Sequence, residues 1–191
     1  MVQQLEAVAA ELGRMTNRVR RAIAVLGCLL TCAVVVAPAL SSTSKLHRMG
    51  SLEEGVLAKL NRVRASHGLR ALHLNAELTN AAAQHSAEMG SDGYFEHNSF
   101  DGTPFWKRIG RFYSASGRGL WSVGENLLWS SGTLDPRGAI AQWMASPPHR
   151  ANILSPRWHE VGVAAARFAS AGGVFDGRSV TIITTDFGVR R

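Results

Sequence analysis

Two histidines and one glutamate, in three separate segments, are the residues of this sequence best suited to chemistry. His97 follows an aromatic pair, Glu125 lies between a glycine and an asparagine, and His149 follows two prolines. Two imidazoles and a carboxylate, once brought together, make either a metal site or an acid–base site. Intervals of 28 and 24 residues are too long for one helix or hairpin to hold these side chains together. The tertiary fold must therefore position them.

Short motifs surround these three residues, and their shared order is specific although each motif alone is weak. They are Leu74-Asn75-Ala76, Ala83-Gln84-His85-Ser86, Tyr94-Phe95-x-His97, Asp101-Gly102-Thr103-Pro104, Arg108, Gly124-Glu125-Asn126-Leu127, Trp143-Met144, His149-Arg150-x-Asn152-Ile153-Leu154, Gly162-Val163 and Asp186-Phe187-Gly188. In this order the chain resembles the CAP superfamily of secreted proteins, in particular the bacterial SCP-like extracellular branch. The similarity runs from Ser51 to the C-terminus.

The resemblance implies a fold and a site. The fold is a three-layer α-β-α sandwich of the CAP type with a central antiparallel sheet. The site is a cavity in which His97 and His149 correspond to the family's paired histidines and Glu125 to its carboxylate. Two departures weaken any activity carried over from relatives: Ser146 stands where many members have a second glutamate, and Thr185 where relatives often have glutamine.

The site residues predict metal binding more directly than catalysis. Neutral imidazoles suit zinc, so we expect His97 and His149 to bind a divalent metal weakly, with open positions left for water. Glu125 is expected to accept a hydrogen bond from a ring N–H, because a buried carboxylate needs a partner. Asn126 is expected to be structural. No catalytic residue is assigned, since neither a nucleophile nor a second glutamate accompanies the three residues.

Three functions remain open on these residues. The first is a non-enzymatic module that binds a small ligand or a cell-surface component in the cleft of His97, Glu125 and His149. The second is a metal-assisted hydrolase of peptidase or esterase type, with Glu125 as base. The third is lipid or sterol binding, which the resemblance to some eukaryotic relatives implies. The missing second glutamate favours binding over catalysis.

Other candidates for chemistry rank lower. His85 is adjacent to Ser86 on a helical stretch that also holds Glu88, but neighbouring residues on a helix do not face each other, so a triad is not expected. His159 is interpreted as a loop residue. Both cysteines, Cys28 and Cys32, precede residue 40. The rest of the chain therefore has neither a thiol nucleophile nor a disulfide, as in a bacterial-type member.

An apolar groove is a further possibility between the first two site residues. The aromatic residues Trp106, Phe112, Tyr113 and Trp121 all lie between His97 and Glu125. A loop could present them to a lipid, but core packing is the more ordinary role of such side chains.

Charge narrows the choice of partner. The chain of 191 residues carries a net charge of +7, and residues 40–191 hold 17 Lys and Arg against 12 Asp and Glu, a net charge of +5. These charges are scattered, and no basic run is interleaved with aromatics, so nucleic acid is not an expected partner. An ordinary solvated surface explains them, and so does attraction to acidic cell-wall polymers or anionic lipid.

The N-terminus predicts export. An arginine-rich segment precedes the uncharged run 22–40, which ends in small residues, as in a signal peptide. We expect a signal peptide at 1–39, a linker at 40–50 and a CAP domain at 51–191. Met15 is an alternative start, and an uncleaved membrane anchor is the alternative to cleavage, since the apolar run is just long enough to span a bilayer. A lipobox is not expected at Cys32. Either way the domain lies outside the cytoplasm, secreted or anchored at the surface.

The remaining pattern indicates an α+β domain. Helices are predicted from Ser51 as N-cap to Gly68, over Ala76–Met89 with Gly90 as terminator, from Thr103 to Arg108, and from Asp135 to Trp143 with Ser146 and the prolines ending it. Strands are predicted at Trp121–Leu128 and, as an antiparallel hairpin, at Glu160–Phe168 and Ser179–Phe187.

Overall fold

The computed structural model describes residues 50–191 apart from residues 116 and 118. The predicted leader at 1–39, and all but the last residue of the predicted linker, lie outside this range. The described helices are α1 (Ser51–Ser66), α2 (Ala76–Asp92), α3 (Phe105–Gly110), α4 (Pro136–Ala145) and α5 (Pro147–Ile153). The described strands are β1 (His73–Leu74), β2 (Trp121–Ser130), β3 (Glu160–Ala171) and β4 (Arg178–Arg190). No helix within this range has the length and hydropathy needed to cross a bilayer.

The strands form a mixed sheet in the order β1-β3-β4-β2. The predicted hairpin is present as β3 and β4, and β2 pairs with β4 antiparallel on its other side. β1 was not predicted, because two residues are too few to show a period; it adds a parallel edge to β3. The expected sheet is therefore antiparallel across its three long strands and mixed only at this edge.

Helices cover both faces of the sheet, which makes three layers. On one face α2 and α3 contribute a cluster that includes Leu78, Ala81, Ile109 and Tyr113. On the other face α1, α4 and α5 pack apolar side chains against alternate residues of the strands, among them Val56, Leu60, Trp143, Ile153, Val161 and Phe187. Alternation along β4 aims its even-numbered residues toward α2, as the contact of 2.8 Å between the hydroxyl oxygens of Thr184 and Ser86 shows. The predicted α+β sandwich is confirmed.

Two glycines behave differently from the sequence expectation. Gly50, not Ser51, is the N-cap of α1, because the Glu53 side chain accepts a hydrogen bond from the Gly50 amide at 3.1 Å. Gly90 does not end α2: it lies inside the helix, where a Cβ would come within 2.0 Å of the Phe168 ring. The helix continues to Gly93, whose φ of 72° is the left-handed conformation that glycine adopts at a helix end. Close approach to β3, rather than chain reversal, requires the glycine at position 90.

The double proline also has a different role from the predicted one. Pro147 and Pro148 begin a new helix, α5, in which their missing N–H groups cost nothing because first-turn amides have no partner within the helix. His149 therefore lies inside a short helix rather than on a loop. Glu125 lies in the middle of β2, within the strand predicted at Trp121–Leu128. Asp135 caps α4 as expected, accepting from the Gly138 amide at 2.6 Å.

Candidate functional site

Glu125 is the buried centre of the candidate site. Its side chain is 1% exposed, and its two oxygens have different partners. Oε1 accepts from His97 Nδ1 at 2.8 Å, and Oε2 accepts from Nη2 of Arg108. Burial raises the pKa of Glu125 to about 7, although the guanidinium of Arg108 opposes that shift. The carboxyl group therefore titrates close to pH 7. The two donors favour its ionised form.

Arg108 joins the site from α3. It is fully buried, and besides Glu125 it contacts the chain that carries His97, since its Nη1 donates to the His97 carbonyl oxygen at 2.9 Å. One guanidinium therefore fixes both the backbone of the histidine and the carboxylate that the histidine contacts. The sequence showed Arg108 only as a member of a motif, without a role. The available signal was the need of a buried carboxylate for a cation.

His97 reaches the site from the loop after α2. Its side chain is 50% exposed, so one edge of the ring faces Glu125 and the other faces solvent. Burial and the charge of Arg108 lower the pKa of His97. The ring is therefore neutral near pH 7, and when Glu125 is ionised the His97 Nδ1 carries the proton, because an ionised carboxylate can only accept. This tautomer leaves the lone pair of Nε2 free at the surface.

His85 holds the loop of His97 and is not part of a triad. It is fully buried in α2, and its Nε2 donates to the Glu96 carbonyl oxygen at 2.9 Å, one residue before His97. Burial lowers the pKa of His85 to about 3, so it is neutral at any ordinary pH. Ser86 points elsewhere, to Thr184. The expectation that these neighbours form no catalytic unit agrees with the geometry.

His149 lies in α5, whose Asn152 donates to the backbone of β2. Its ring is partly exposed, and within the described part of the chain no hydrogen bond reaches it. Burial and the neighbouring ring of His97 lower the pKa of His149. The backbone of His149 is tied to β2, because Asn126 Nδ2 donates to the His149 carbonyl oxygen at 3.0 Å.

Two asparagines anchor α5 to β2, as expected for structural residues. Asn152 donates from Nδ2 to the Glu125 carbonyl oxygen at 3.0 Å and to Asn126 Oδ1 at 2.9 Å. These hydrogen bonds join the strand that carries Glu125 directly to the helix that carries His149. Thr185, one of the two departures from the family pattern, donates to the Asn126 carbonyl oxygen at 3.4 Å and is buried beside the same link.

The described residues contain no group of three or more His, Cys, Asp or Glu side chains placed to hold a metal ion. Glu125 is withdrawn from such a role by its two donors. What remains for a metal is a pair of imidazoles, His97 through Nε2 and His149. Weak binding of a divalent metal by His97 and His149 therefore stays a prediction of the sequence.

Asp186 is the site residue that sequence reasoning missed. It lies directly opposite Glu125 in the pairing of β2 with β4, and it is fully buried. Burial and the adjacent Glu125 raise the pKa of Asp186 well above its ordinary value. The signal in the sequence was an acid inside the apolar strand that ends the chain, since such a residue needs a partner.

Comparisons with known proteins agree with this architecture. Residues 57–183 match the CAP family, described as the cysteine-rich secretory protein family. The protein YkwD of Bacillus subtilis (strain 168), itself described as uncharacterized, is 31% identical over 126 residues, which are 64% of this chain and 46% of that relative. This chain thus spans less than half of that relative's length.

Solved structures show the same fold. An extracellular protein with an SCP domain from Bacillus anthracis str. Ames superposes with a TM-score of 0.55 at 26% identity, over 73% of this chain and 40% of that one. An outer surface protein from Borrelia burgdorferi superposes with a TM-score of 0.56 at 18% identity, over 76% of this chain and 98% of that one. The second likeness concerns the fold alone.

The buried ion pair generates a stability prediction. Arg108→Ala leaves the Glu125 carboxylate without its cation, and removing one partner of a buried pair costs about 3–5 kcal/mol in the free energy of unfolding. Arg111→Ala, on the exposed end of α3, is the matched control and should change it by less than about 0.5 kcal/mol. Urea denaturation of both variants measures the difference. In the double variant with Glu125→Gln the loss should be smaller than the sum of the single losses. Equal losses for Arg108→Ala and Arg111→Ala would contradict the pairing.

Proposed function

Because the chain belongs to the CAP family of cysteine-rich secretory proteins, we propose that it is an extracellular binding module whose ligand sits in the cleft of His97, Glu125 and His149. One observation carries this proposal. The bond of 2.8 Å between His97 Nδ1 and Glu125 orients a half-exposed imidazole and leaves its Nε2 free toward solvent. A neutral, oriented ring nitrogen is a preformed contact for a ligand proton or a metal ion.

The position of Glu125 argues against the hydrolase alternative. A general base must lie within hydrogen-bond reach of the water it activates. Glu125 is 1% exposed, and both of its oxygens are engaged by donors of the protein. Its raised pKa would suit a base, but it lies behind His97 at the buried end of the cleft. Binding therefore accounts for the position of Glu125 better than hydrolysis with Glu125 as base does.

A divalent metal is the first ligand to consider. His97 and His149 would hold it, and Glu125 would fix the His97 tautomer from behind. When bound, such an ion supplies a positive centre for anionic or carbonyl-bearing ligands. Two protein ligands are fewer than the three typical of catalytic zinc, so modest affinity is part of the proposal.

Location outside the cytoplasm is also part of the proposal. The predicted leader supports it, and the relative from Bacillus anthracis is described as an extracellular protein. The net charge of +5 over residues 40–191 suits a negatively charged cell surface. A cell-surface component is therefore a natural partner for the cleft.

Calorimetry with zinc tests the metal. The wild type should bind weakly, His97→Ala and His149→Ala should each lose binding, and Glu125→Gln should weaken it about tenfold as an outer-shell partner. Because burial lowers the pKa values of both histidines, binding should persist below the ordinary histidine pKa of about 6.5 and fail only at lower pH.

His159→Ala, which removes an exposed histidine elsewhere, is the matched control for this experiment and should bind zinc like the wild type. Circular dichroism confirms that each variant is folded. If the two cleft variants bind zinc as tightly as the wild type, the histidines are not ligands.

A second candidate function, binding of an anionic lipid, is favoured by a groove on the other helical layer. The groove lies between α1 and α4 and has a volume of about 480 Å³. Val63, Ile140 and Ala141 give it apolar lining, while three cations and no acid also line it, namely Lys59, Arg62 and Arg137. An acyl chain with a carboxylate head matches this distribution of charge.

This groove does not lie among the aromatic residues between His97 and Glu125, where the sequence allowed an apolar groove. Tyr113 is fully buried, and Phe112 and Trp121 pack partly buried against its cluster. Trp106 is 46% exposed. Core packing, the alternative weighed for this set, accounts for the first three residues. The lipid hypothesis therefore depends on α1 and α4 instead.

A fluorescent fatty-acid analogue tests the groove. Reversing the charge of Arg62 and Arg137 to glutamate should weaken binding about three- to tenfold, since partly solvated ion pairs contribute on the order of 1 kcal/mol. Arg157→Glu, at a distant exposed position, should leave it unchanged. A neutral fatty alcohol of the same length should bind less tightly than the acid. Equal binding of the acid by the wild type, the Arg62 and Arg137 variant and the Arg157 variant would remove this candidate. Absence of saturable binding to the wild type would do the same.

A further inference from the structure

Arg64 is a buried cation that the proposed cleft does not use. It lies in the last turn of α1 and is 1% exposed. None of the ion pairs among the described residues includes it. Burial lowers the pKa of Arg64, but an arginine side chain still keeps its proton at ordinary pH. A positive charge in this position needs compensation, because burial of an unpaired charge is costly.

Backbone carbonyl groups supply part of that compensation. Arg64 Nε donates to the Arg70 carbonyl oxygen at 2.9 Å, and Nη1 donates to the carbonyl oxygens of Ile153 at 2.7 Å and Ser155 at 2.9 Å. A guanidinium has five N–H groups, and these bonds use the one on Nε and both on Nη1. The two N–H groups of Nη2 take part in none of them. Within the described part of the chain the full charge thus meets only carbonyl dipoles.

A small pocket lies at this end of α1, and Arg64 is part of its lining. Its volume is about 220 Å³. Two further lining residues, Arg70 and His159, are exposed and so stand at its rim. Leu69 and Pro156 contribute apolar surface, and none of the described residues that line the pocket is Asp or Glu. Pockets for drug-sized ligands hold about 300–1,000 Å³, so this one suits a smaller group, and its charges favour a negative one.

Trp158 adds a second free donor to the same lining. It is 5% exposed, and its indole Nε1 has no acceptor among the described residues. The ring is held by stacking on Phe187, with 6.2 Å between the ring centroids. The guanidinium of Arg157 lies 5.6 Å from the indole centroid and adds positive charge nearby. A buried N–H without an acceptor needs an explanation, and an oxygen-bearing ligand next to it provides one.

We propose that this pocket binds a small oxyanion, a phosphate or a carboxylate group, through the Nη2 N–H groups of Arg64. An oxyanion brings the negative charge that the carbonyl groups lack, and hydrogen bonds between ionised partners are the strong ones. Arg70 and His159 add N–H donors at the rim. The pocket shares no lining residue with the groove between α1 and α4. It therefore gives the chain a binding site that depends neither on that groove nor on the cleft.

NMR of the indole N–H groups reads binding directly. The probes are inorganic phosphate and sodium acetate, titrated separately at an ionic strength held constant with sodium chloride. The Trp158 signal, assigned through Trp158→Phe, should shift saturably. The Trp143 indole, which donates to the Leu127 carbonyl oxygen at 3.0 Å, should not move. The probe that saturates at the lower concentration identifies the phosphate or the carboxylate as the preferred group. No saturable shift with either probe would overturn the proposal.

Three variants locate the binding. Arg64→Lys keeps a positive charge but lacks Nη2, and it should weaken binding at least about tenfold, the contribution of one hydrogen bond to a charged group. Arg70→Gln should weaken binding about two- to fivefold, as expected for an exposed charge. Arg111→Gln, exposed at the end of α3, is the matched control and should bind like the wild type.

Equal weakening by Arg70→Gln and Arg111→Gln would mean general attraction to a basic protein, and would overturn the proposal. Circular dichroism confirms that each variant is folded. If Arg64→Lys does not fold, the comparison of Arg70→Gln with Arg111→Gln and the Trp158 signal of the wild type still decide the question.

Discussion

The site depends on one buried ion pair, between Arg108 of α3 and Glu125 of β2. Through this pair the guanidinium fixes the carboxylate, and through its other nitrogen it fixes the backbone of His97. A buried ion pair contributes little net stability compared with an apolar core of the same volume. Its role here is geometric. The packing of α3 on the sheet places Arg108, and Arg108 sets the direction of the Glu125 carboxylate. That direction in turn sets the orientation and tautomer of His97.

The two histidines are connected to this pair by different means. His97 is held by Arg108 and by the neighbouring loop contact of buried His85. His149 is held by its helix, which Asn152 ties to the backbone of Glu125 itself. Segments that are far apart in sequence are therefore both hydrogen-bonded to Glu125 of β2. The open edge of the cleft carries imidazole nitrogens and its carboxylate is buried, which is why binding fits it better than hydrolysis with Glu125 as the base.

The sequence predicted the parts of this arrangement that follow from periodicity and motif order. Helical spacing located α1, α2 and α4, and the turn signals located the β3–β4 hairpin. It predicted three site residues, His97, Glu125 and His149, through a resemblance to a family. It could not predict which side chains face each other across strands. The role of Arg108 and the position of Asp186 opposite Glu125 depend on the register of β2 with β4, which spacing does not contain. Gly90 was misread because its close contact with Phe168 is tertiary.

The orientation of His97 by Glu125 is the central claim, and the ring tautomer tests it most directly. Nitrogen-15 chemical shifts of the His97 ring in the wild type, measured near neutral pH, distinguish a protonated Nδ1 from a protonated Nε2. The buried carboxylate that accepts from Nδ1 at 2.8 Å predicts that Nδ1 carries the proton and that Nε2 has a free lone pair. A ring protonated mainly at Nε2, or one exchanging freely between the two forms, would contradict the account.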